Sequence, residues 1–436
     1  MYAFTRRRSS VVAAAATLVF TAAVAAVPSA DASALAGPPE VVPRAETAAL
    51  FDDDEGGNAN ADDPAIWRNS ADPDASLVIA TAKEGGLRVY DLDARQVQSV
   101  PAPSAPGADD APGRYNNVDL VHGTHLGSGA TDLAVVSDRG SDKLRVYRVD
   151  GDRPDAPLTD VTDASAPWIF SGSQEEVNEE STAYGLATYT DSATGKSYAL
   201  VSQNATTRIA LLELTPTRGG KVSYRKVRTV DLPAAFTMPD GTKWSPCGEP
   251  GEGPQVEGMV VDPETGTLFA GQEDVGVWRL PADLKGRPVL QDRVREYGVP
   301  TAYDEASDEC VAGDDPGFGG SHVSADVEGL TLLKQDDGDG YLLTSSQGDD
   351  TFVAYDRERS DGYEYEGGFR VSAASESLDG SEECDGADVL AEPLGSRYTN
   401  GLLVVQDGHM APEDSDREAT GFKFVDLADV LEALDD

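Results

Sequence analysis

The chain has 436 residues, and its 78 acidic against 34 basic side chains give a formal charge of −44 at pH 7. So strong an excess of negative charge repels nucleic acid phosphates and anionic membranes and makes cations the natural partners. Length alone would suggest two or three domains, although a single all-β architecture can also run to this size.

Residues 1–32 read as a secretory signal. They carry "RRR" at 6–8, an apolar run from Val11 to Val27 and a small-residue cleavage site, "ADA", at 30–32. The segment "TRRRSS" is a poor twin-arginine match, so the ordinary export route is expected. No later stretch approaches the roughly 20 apolar residues a spanning helix needs. The expectation is a secreted, extracellular, soluble monomer with no nucleic acid or membrane partner.

From residue 58 onward one unit recurs: an apolar strand, a polar turn and a second strand ending in hydrophobic and aromatic residues. The copies are "LVIATAKEGGLRVYDL" (77–92), "LAVVSDRGSDKLRVYRV" (133–149), "YALVSQNATTRIALLEL" (198–214), "TLFAGQEDVGVWRL" (267–280), "YLLTSSQGDDTFVAYDR" (341–357) and "GLLVVQDGHM…GFKFVDL" (401–427). Alternation, β-branched content and Gly/Asp/Ser turns make each a hairpin. A further apolar run precedes each hairpin: "DDPAIW" (62–67), "NNVDLV" (116–121), "TAYGLATY" (182–189), "VEGMVV" (256–261), "DVEGLTLL" (326–333) and "CDGADVL" (384–390). Five of these carry Asp or Glu at their opening, and the third has Tyr184 with Glu179 and Glu180 just upstream. An isolated four-stranded sheet cannot bury both faces, so six such units predict a single all-β, six-bladed β-propeller over 58–436. Residues 33–57 are expected to add one strand closing the last blade. Segment 411–422 reads as a loop, 426–436 as a terminal helix, and "QDDGDGY" (335–341) as a hairpin turn.

The innermost strands of a propeller line its channel, so acids at their starts converge on one mouth. Like charges roughly 4 to 6 Å apart cost on the order of 1 to 4 kcal/mol per pair. Protons or metal ions must therefore neutralise the ring, and clustered oxygen donors select Ca²⁺ over zinc or copper. The hairpin turns bring Lys83, Arg139, Glu273, Gln347 and Asp407 to the same end, with Arg208 near the third. Bases beside an acidic ring suit an anionic ligand such as a phosphate ester. Other hydrolytic signatures are missing: there is no "RHGxRxP", "GxSxG" or "HExxH", and "TGKS" (194–197) lacks the first Gly of a phosphate loop. His122, His125, His322 and His409 form no ligand-spaced set. Cys247 and Cys310 lie in Gly/Pro-rich loops and are expected to pair, leaving Cys384 over. Metal-activated water is the remaining chemistry.

In order along about 58–430, "ADDPAIW", "NNVDL", "AYGLATY", "VEGMVVDPETGTLFAGQEDVGVW", "DVEGLTLL", "GYLLTSSQG", "DGSEECDGADVL" and "VVQDG" resemble the β-propeller phytases. The resemblance implies a six-bladed propeller that uses several Ca²⁺ ions to hydrolyse phytate, inositol hexakisphosphate, taken up as a calcium complex. It implies calcium binding by Asp62, Asp63, Glu257, Glu273, Asp326, Glu328, Gln347, Asp379 and Asp385, and phosphate binding by Lys83, Arg139 and Tyr184. Lys83, Arg139, Tyr184, Glu257, Asp326 and Glu328 are the residues it implies in catalysis. The third turn departs from the family, because "QNATTR" (203–208) lacks a Lys-Glu pair found there, and Arg208 is the available substitute for phosphate binding. A calcium-dependent lactonase or esterase, and a non-catalytic calcium-binding propeller, are the alternative readings of the same residues.

Overall fold

The computed structural model describes residues 37–53, 59–126, 129–248, 250–304, 306–307, 309–335, 338–357, 362–411 and 417–435. The signal segment, 1–32, lies outside them.

Six antiparallel sheets follow one another along the chain. Their innermost strands are Pro64–Trp67, Tyr115–Leu126, Ala183–Asp191, Val256–Asp262, Val327–Lys334 and Ala387–Leu390, the apolar runs picked out by sequence. Each inner strand touches those of the two neighbouring blades, and the last touches the first, so the sheets close into a ring. The fold is a six-bladed β-propeller. Inner strands such as "VEGMVVD" are buried on both faces, as a strand between neighbouring blades must be, while the outer strand Gln96–Val100 is largely solvated.

The core lies between blades. Ile66, Val78 and Tyr90 of the first blade interleave with Leu402, Val404, Phe422 and Phe424 of the sixth, and each fully buried aliphatic or aromatic side chain stabilises the seam by about 1.5–3 kcal/mol. Ala45–Glu46 and Leu50–Phe51 pair antiparallel with Ala419–Asp426, so both ends of the chain build the sixth blade. Glu40–Val41 adds a parallel strand to the outside of the fifth. The expected loop at 411–422 ends earlier than its polar composition suggested. Residues from Ala419 are already strand, because Thr420 and Phe422 bond inward to Leu50 and Thr47. The terminal helix runs Leu427–Asp435 and buries Leu427, Val430 and Ala433.

A hairpin of Phe236–Thr237 with Lys243–Trp244 precedes the fourth blade, and one of Thr301–Asp304 with Glu309–Ala312 follows it. The Cys247–Cys310 disulfide links these excursions, with Cα atoms 6.0 Å apart, while Cys384 is free and buried.

Candidate active site at the channel mouth

A backbone irregularity repeated from blade to blade sets the site. The pairing of inner strands to their hairpins shifts register between Tyr115 and Val118, Ala183 and Leu186, Val256 and Met259, and Val327 and Leu330. Such bulges re-aim the side chains they contain, and these contain Asn116-Asn117, Tyr184-Gly185, Glu257-Gly258 and Glu328-Gly329. The glycines allow close approach. A Cβ on Gly185 would lie 2.0 Å from the Glu257 carbonyl oxygen, and one on Gly258 would lie 2.1 Å from that of Glu328. Backbones in contact bring the preceding side chains together, which is why the acid-Gly dipeptide recurs.

One carboxylate oxygen from each of Glu257, Glu273 and Glu328 falls within 4.8 Å of the others, and all three residues are buried. At that separation two unit charges repel by about 3 kcal/mol at an effective dielectric of about 20. Three ionised pairs approach the whole stability of a typical domain. Glu257 is held on both oxygens: Asn116 Nδ2 donates to Oε1 at 2.5 Å, and the Tyr184 hydroxyl donates to Oε2 at 2.5 Å. Gln255 Nε2 donates to Glu273 Oε2 at 3.0 Å. Among the buried acceptors without a hydrogen-bond partner are three of this cluster, Asp62 Oδ1, Glu273 Oε1 and Glu328 Oε2. Orphaned carboxylate oxygens converging from several blades suit a hard divalent cation, and among the described residues the clustered group contains no His or Cys.

Cations flank one side of this ring. Lys83 Nζ lies 3.7 Å from Asp62 Oδ2 and 3.5 Å from Asp385 Oδ2, and Gln347 Nε2 donates to Asp385 Oδ1 at 2.9 Å. Lys83 has a left-handed backbone, φ 44°, held by bonds from Gly86 N and Tyr115 N to its carbonyl. A lysine in that region costs on the order of 1 kcal/mol, the kind of strain retained where a side chain must be aimed. The Arg139 guanidinium stacks over the Tyr184 ring, 5.3 Å from its centroid.

Burial pushes Asp62 well above the usual carboxylate range; Lys83 opposes this and Glu257 adds to it. Glu273 and Glu328 are raised likewise, by burial first and then by Glu257. Burial, opposed by Lys83, raises Asp385 to about 6, and burial with Asp326 raises Asp274 to about 7. Burial depresses Lys83, but Asp62 and Asp385 outweigh it and leave the ammonium raised.

These shifts fix the pH dependence of the metal-free protein. A carboxyl whose folded pKa exceeds its unfolded value stabilises the fold below the unfolded pKa, near 4. That contribution is lost as pH rises through the folded values of about 6 and 7. Melting temperature in excess chelator should therefore fall between about pH 4 and 7.5. Calcium, which favours the ionised ligands, should reverse the slope. Scanning calorimetry across pH with and without the ion checks this.

The structure brings Asp62, Glu257, Glu273, Asp326, Glu328, Gln347, Asp385, Lys83, Arg139 and Tyr184 to the mouth. Asp63 is turned toward the second blade, where its Oδ2 accepts from Val118 N at 3.0 Å. Two proposed positions are placed elsewhere. Asp379 bonds to Lys423 Nζ and Ala411 N; the wholly buried Lys423 also pairs with Glu46 at 2.6 Å and Asp407 at 3.0 Å, so one ammonium is shared among three carboxylates in the sixth blade. Arg208 opens the third strand of its blade and pairs with Asp231 on the outer strand at 2.8 Å, away from the channel. Asp119 also lies deeper than its motif suggested, accepting from Thr188 N at 2.6 Å. Asn116 and Gln255 are site residues that the search for charge passed over. The available signal was position: Asn116-Asn117 opens the second inner strand as Asp62-Asp63 opens the first.

A ring of blades that presents buried carboxylate oxygens and bases at one channel mouth suits an anionic ligand held together with a divalent cation. The phytase family model matches residues 8–238 and 252–436. A 3-phytase of Bacillus subtilis (strain 168) is 32% identical over 354 residues, covering 81% of this chain and 75% of the relative. The chain belongs to the β-propeller phytase family. Among solved structures, the periplasmic gluconolactonase of Pseudomonas aeruginosa is similar over 68% of this chain and 67% of its own, with 15% identity and a TM-score of 0.36. The Cps50 (Swd1) β-propeller domain of Myceliophteria thermophila is similar over 84% of each chain, with 10% identity and a TM-score of 0.38.

Proposed function

We propose that this chain is a secreted, calcium-dependent phytase, releasing phosphate from inositol hexakisphosphate by attack of water and belonging to the 3-phytase type that its relative's name records. One observation carries this reading: orphaned, buried oxygens of Asp62, Glu273 and Glu328 stand beside Lys83 and Arg139 at a single mouth. Glu257, Glu273 and Glu328 would hold the ion, with Asp62, Asp326 and Asp385 at their edge. Bound there, calcium supplies Lewis-acid stabilisation of phosphate oxygens and lowers the pKa of water.

The chain's own groups do the rest. Asn116 and Tyr184 fix the Glu257 carboxylate from both sides, so its orientation is set before substrate arrives. Lys83 and Arg139 take the equatorial oxygens of the scissile phosphate, where charge accumulates during in-line transfer. Arg139 is steadied by its stacking on Tyr184. No side-chain nucleophile is required, and Cys384 is unsuited to be one, being buried with its thiol donated to the Gly386 carbonyl. No covalent intermediate should form.

The experiment is phosphate release from phytate compared with opening of a simple aliphatic lactone, both with calcium supplied. Turnover of phytate without the lactone is expected. Lactone turnover without phosphate release would transfer the site to the lactonase reading, and turnover of neither would leave a binding protein.

A further inference from the structure

We propose that Gln255 is a positioning residue for the cation site: its side-chain amide divides the two oxygens of Glu273 between protein and ion, so that Glu273 offers the ion one oxygen only. This rests on the calcium reading of the site.

The third blade holds the amide in one orientation. Ala205 N donates to Gln255 Oε1 at 2.9 Å. A backbone N–H can only donate, so the amide oxygen must face Ala205 and Nε2 must face the acids. Nε2 donates to Glu273 Oε2 at 3.0 Å and, over a longer 3.4 Å, to the Tyr184 hydroxyl. Tyr184 in turn donates to Glu257 Oε2 at 2.5 Å. One neutral side chain thus acts on two of the three clustered glutamates, on Glu273 directly and on Glu257 through Tyr184.

The backbone around Gln255 is bracketed from both neighbouring turns. Gly253 N donates to the Ala205 carbonyl at 2.9 Å, and Glu273 N donates to the Gln255 carbonyl at 3.3 Å. Gln272 Nε2 donates to the Pro254 carbonyl at 2.8 Å. Ala205 therefore grips segment 253–255 with both its N–H and its carbonyl. It does so at φ 58°, a left-handed conformation that a non-glycine residue adopts at a cost and retains where the backbone must be aimed. The turn "QNATTR" contributes these backbone groups to the site, while its Arg208 turns away to Asp231.

The consequence falls on Glu273. Its Oε2 is occupied by the Gln255 N–H, and its Oε1 is buried with no partner. Calcium accepts a carboxylate through one oxygen or through both. With Oε2 held, the carboxylate cannot pivot to present both, and Oε1 is the atom left for the ion. A partner that fixes a ligand in this way typically changes metal affinity by about tenfold or more.

The test uses two variants of the full chain. Gln255→Met keeps the length of the side chain but removes donor and acceptor. Gln255→Asn keeps an amide but is one methylene too short to span Ala205 and Glu273, and it carries the test should the Met variant fail to fold. Calorimetric titration of chelator-treated protein with calcium should give a dissociation constant about tenfold higher in both variants than in wild type. Phytate turnover lost at limiting calcium should return as calcium is raised, with the half-maximal concentration displaced by the same factor. Melting temperature in excess chelator is the control. A residue that merely braces Ala205 would lower it and leave the calcium constant at the wild-type value, and that result overturns the proposal. Wild type that takes up no calcium overturns this inference and the functional reading together, whereas calcium binding that both variants match overturns this inference alone.

Discussion

The double variant Lys83→Ala/Arg139→Ala should lose about 10³-fold in kcat/KM for phytate while remaining folded. Each hydrogen bond from a charged donor to a charged acceptor contributes about 1.5–3 kcal/mol, so two together span roughly two to four decades. The effect should appear mainly in kcat, because the charge on the equatorial oxygens that these groups meet is largest at the transition state. Stability should change little. Lys83 makes only long contacts of 3.7 and 3.5 Å to Asp62 and Asp385, and Arg139 contributes a stacking contact on Tyr184. Losing Lys83 leaves Asp62 more strongly protonated in the absence of metal. Steady-state kinetics on phytate, with circular dichroism and melting temperature as folding checks, measure both halves. A loss below about tenfold would remove these residues from the chemistry and favour a lactonase, which has little use for them.

Much of this site was legible because two periodicities coincide. Hairpins announce themselves by alternation, and the acid-Gly dipeptides mark where inner strands of successive blades touch, since only glycine allows the approach seen at Gly185 and Gly258. What remained hidden depended on partners remote in sequence. Arg208 looks available until the outer strand brings Asp231 against it. Asp379 sits in a motif with Asp385, yet Lys423 and the N-terminal Glu46 meet it from other strands. Asn116 escaped because it is neutral, although its amide fixes the central glutamate. Residues 33–57 read as one strand of the last blade; two short strands pair there, and what two residues carry too little pattern to predict is Glu40–Val41 joining the fifth blade.

Removing the divalent cation should have the largest effect of all. The ring of Glu257, Glu273 and Glu328 is built from groups that repel one another when ionised and that burial drives toward protonation when no cation is present. In the protonated state they present no ligand set, and the polyanionic substrate meets a chain of net charge −44 with nothing to bridge the two. Activity should therefore fall to background in excess chelator and return on adding calcium. The half-maximal calcium concentration should rise as pH falls from about 7 toward 5, because protons compete for the same oxygens. Phosphate release from phytate measured against free calcium at fixed pH is the most direct measurement. The account predicts a saturable rise from zero that magnesium, with its stricter octahedral demand, reproduces poorly. Full activity in excess chelator would contradict it.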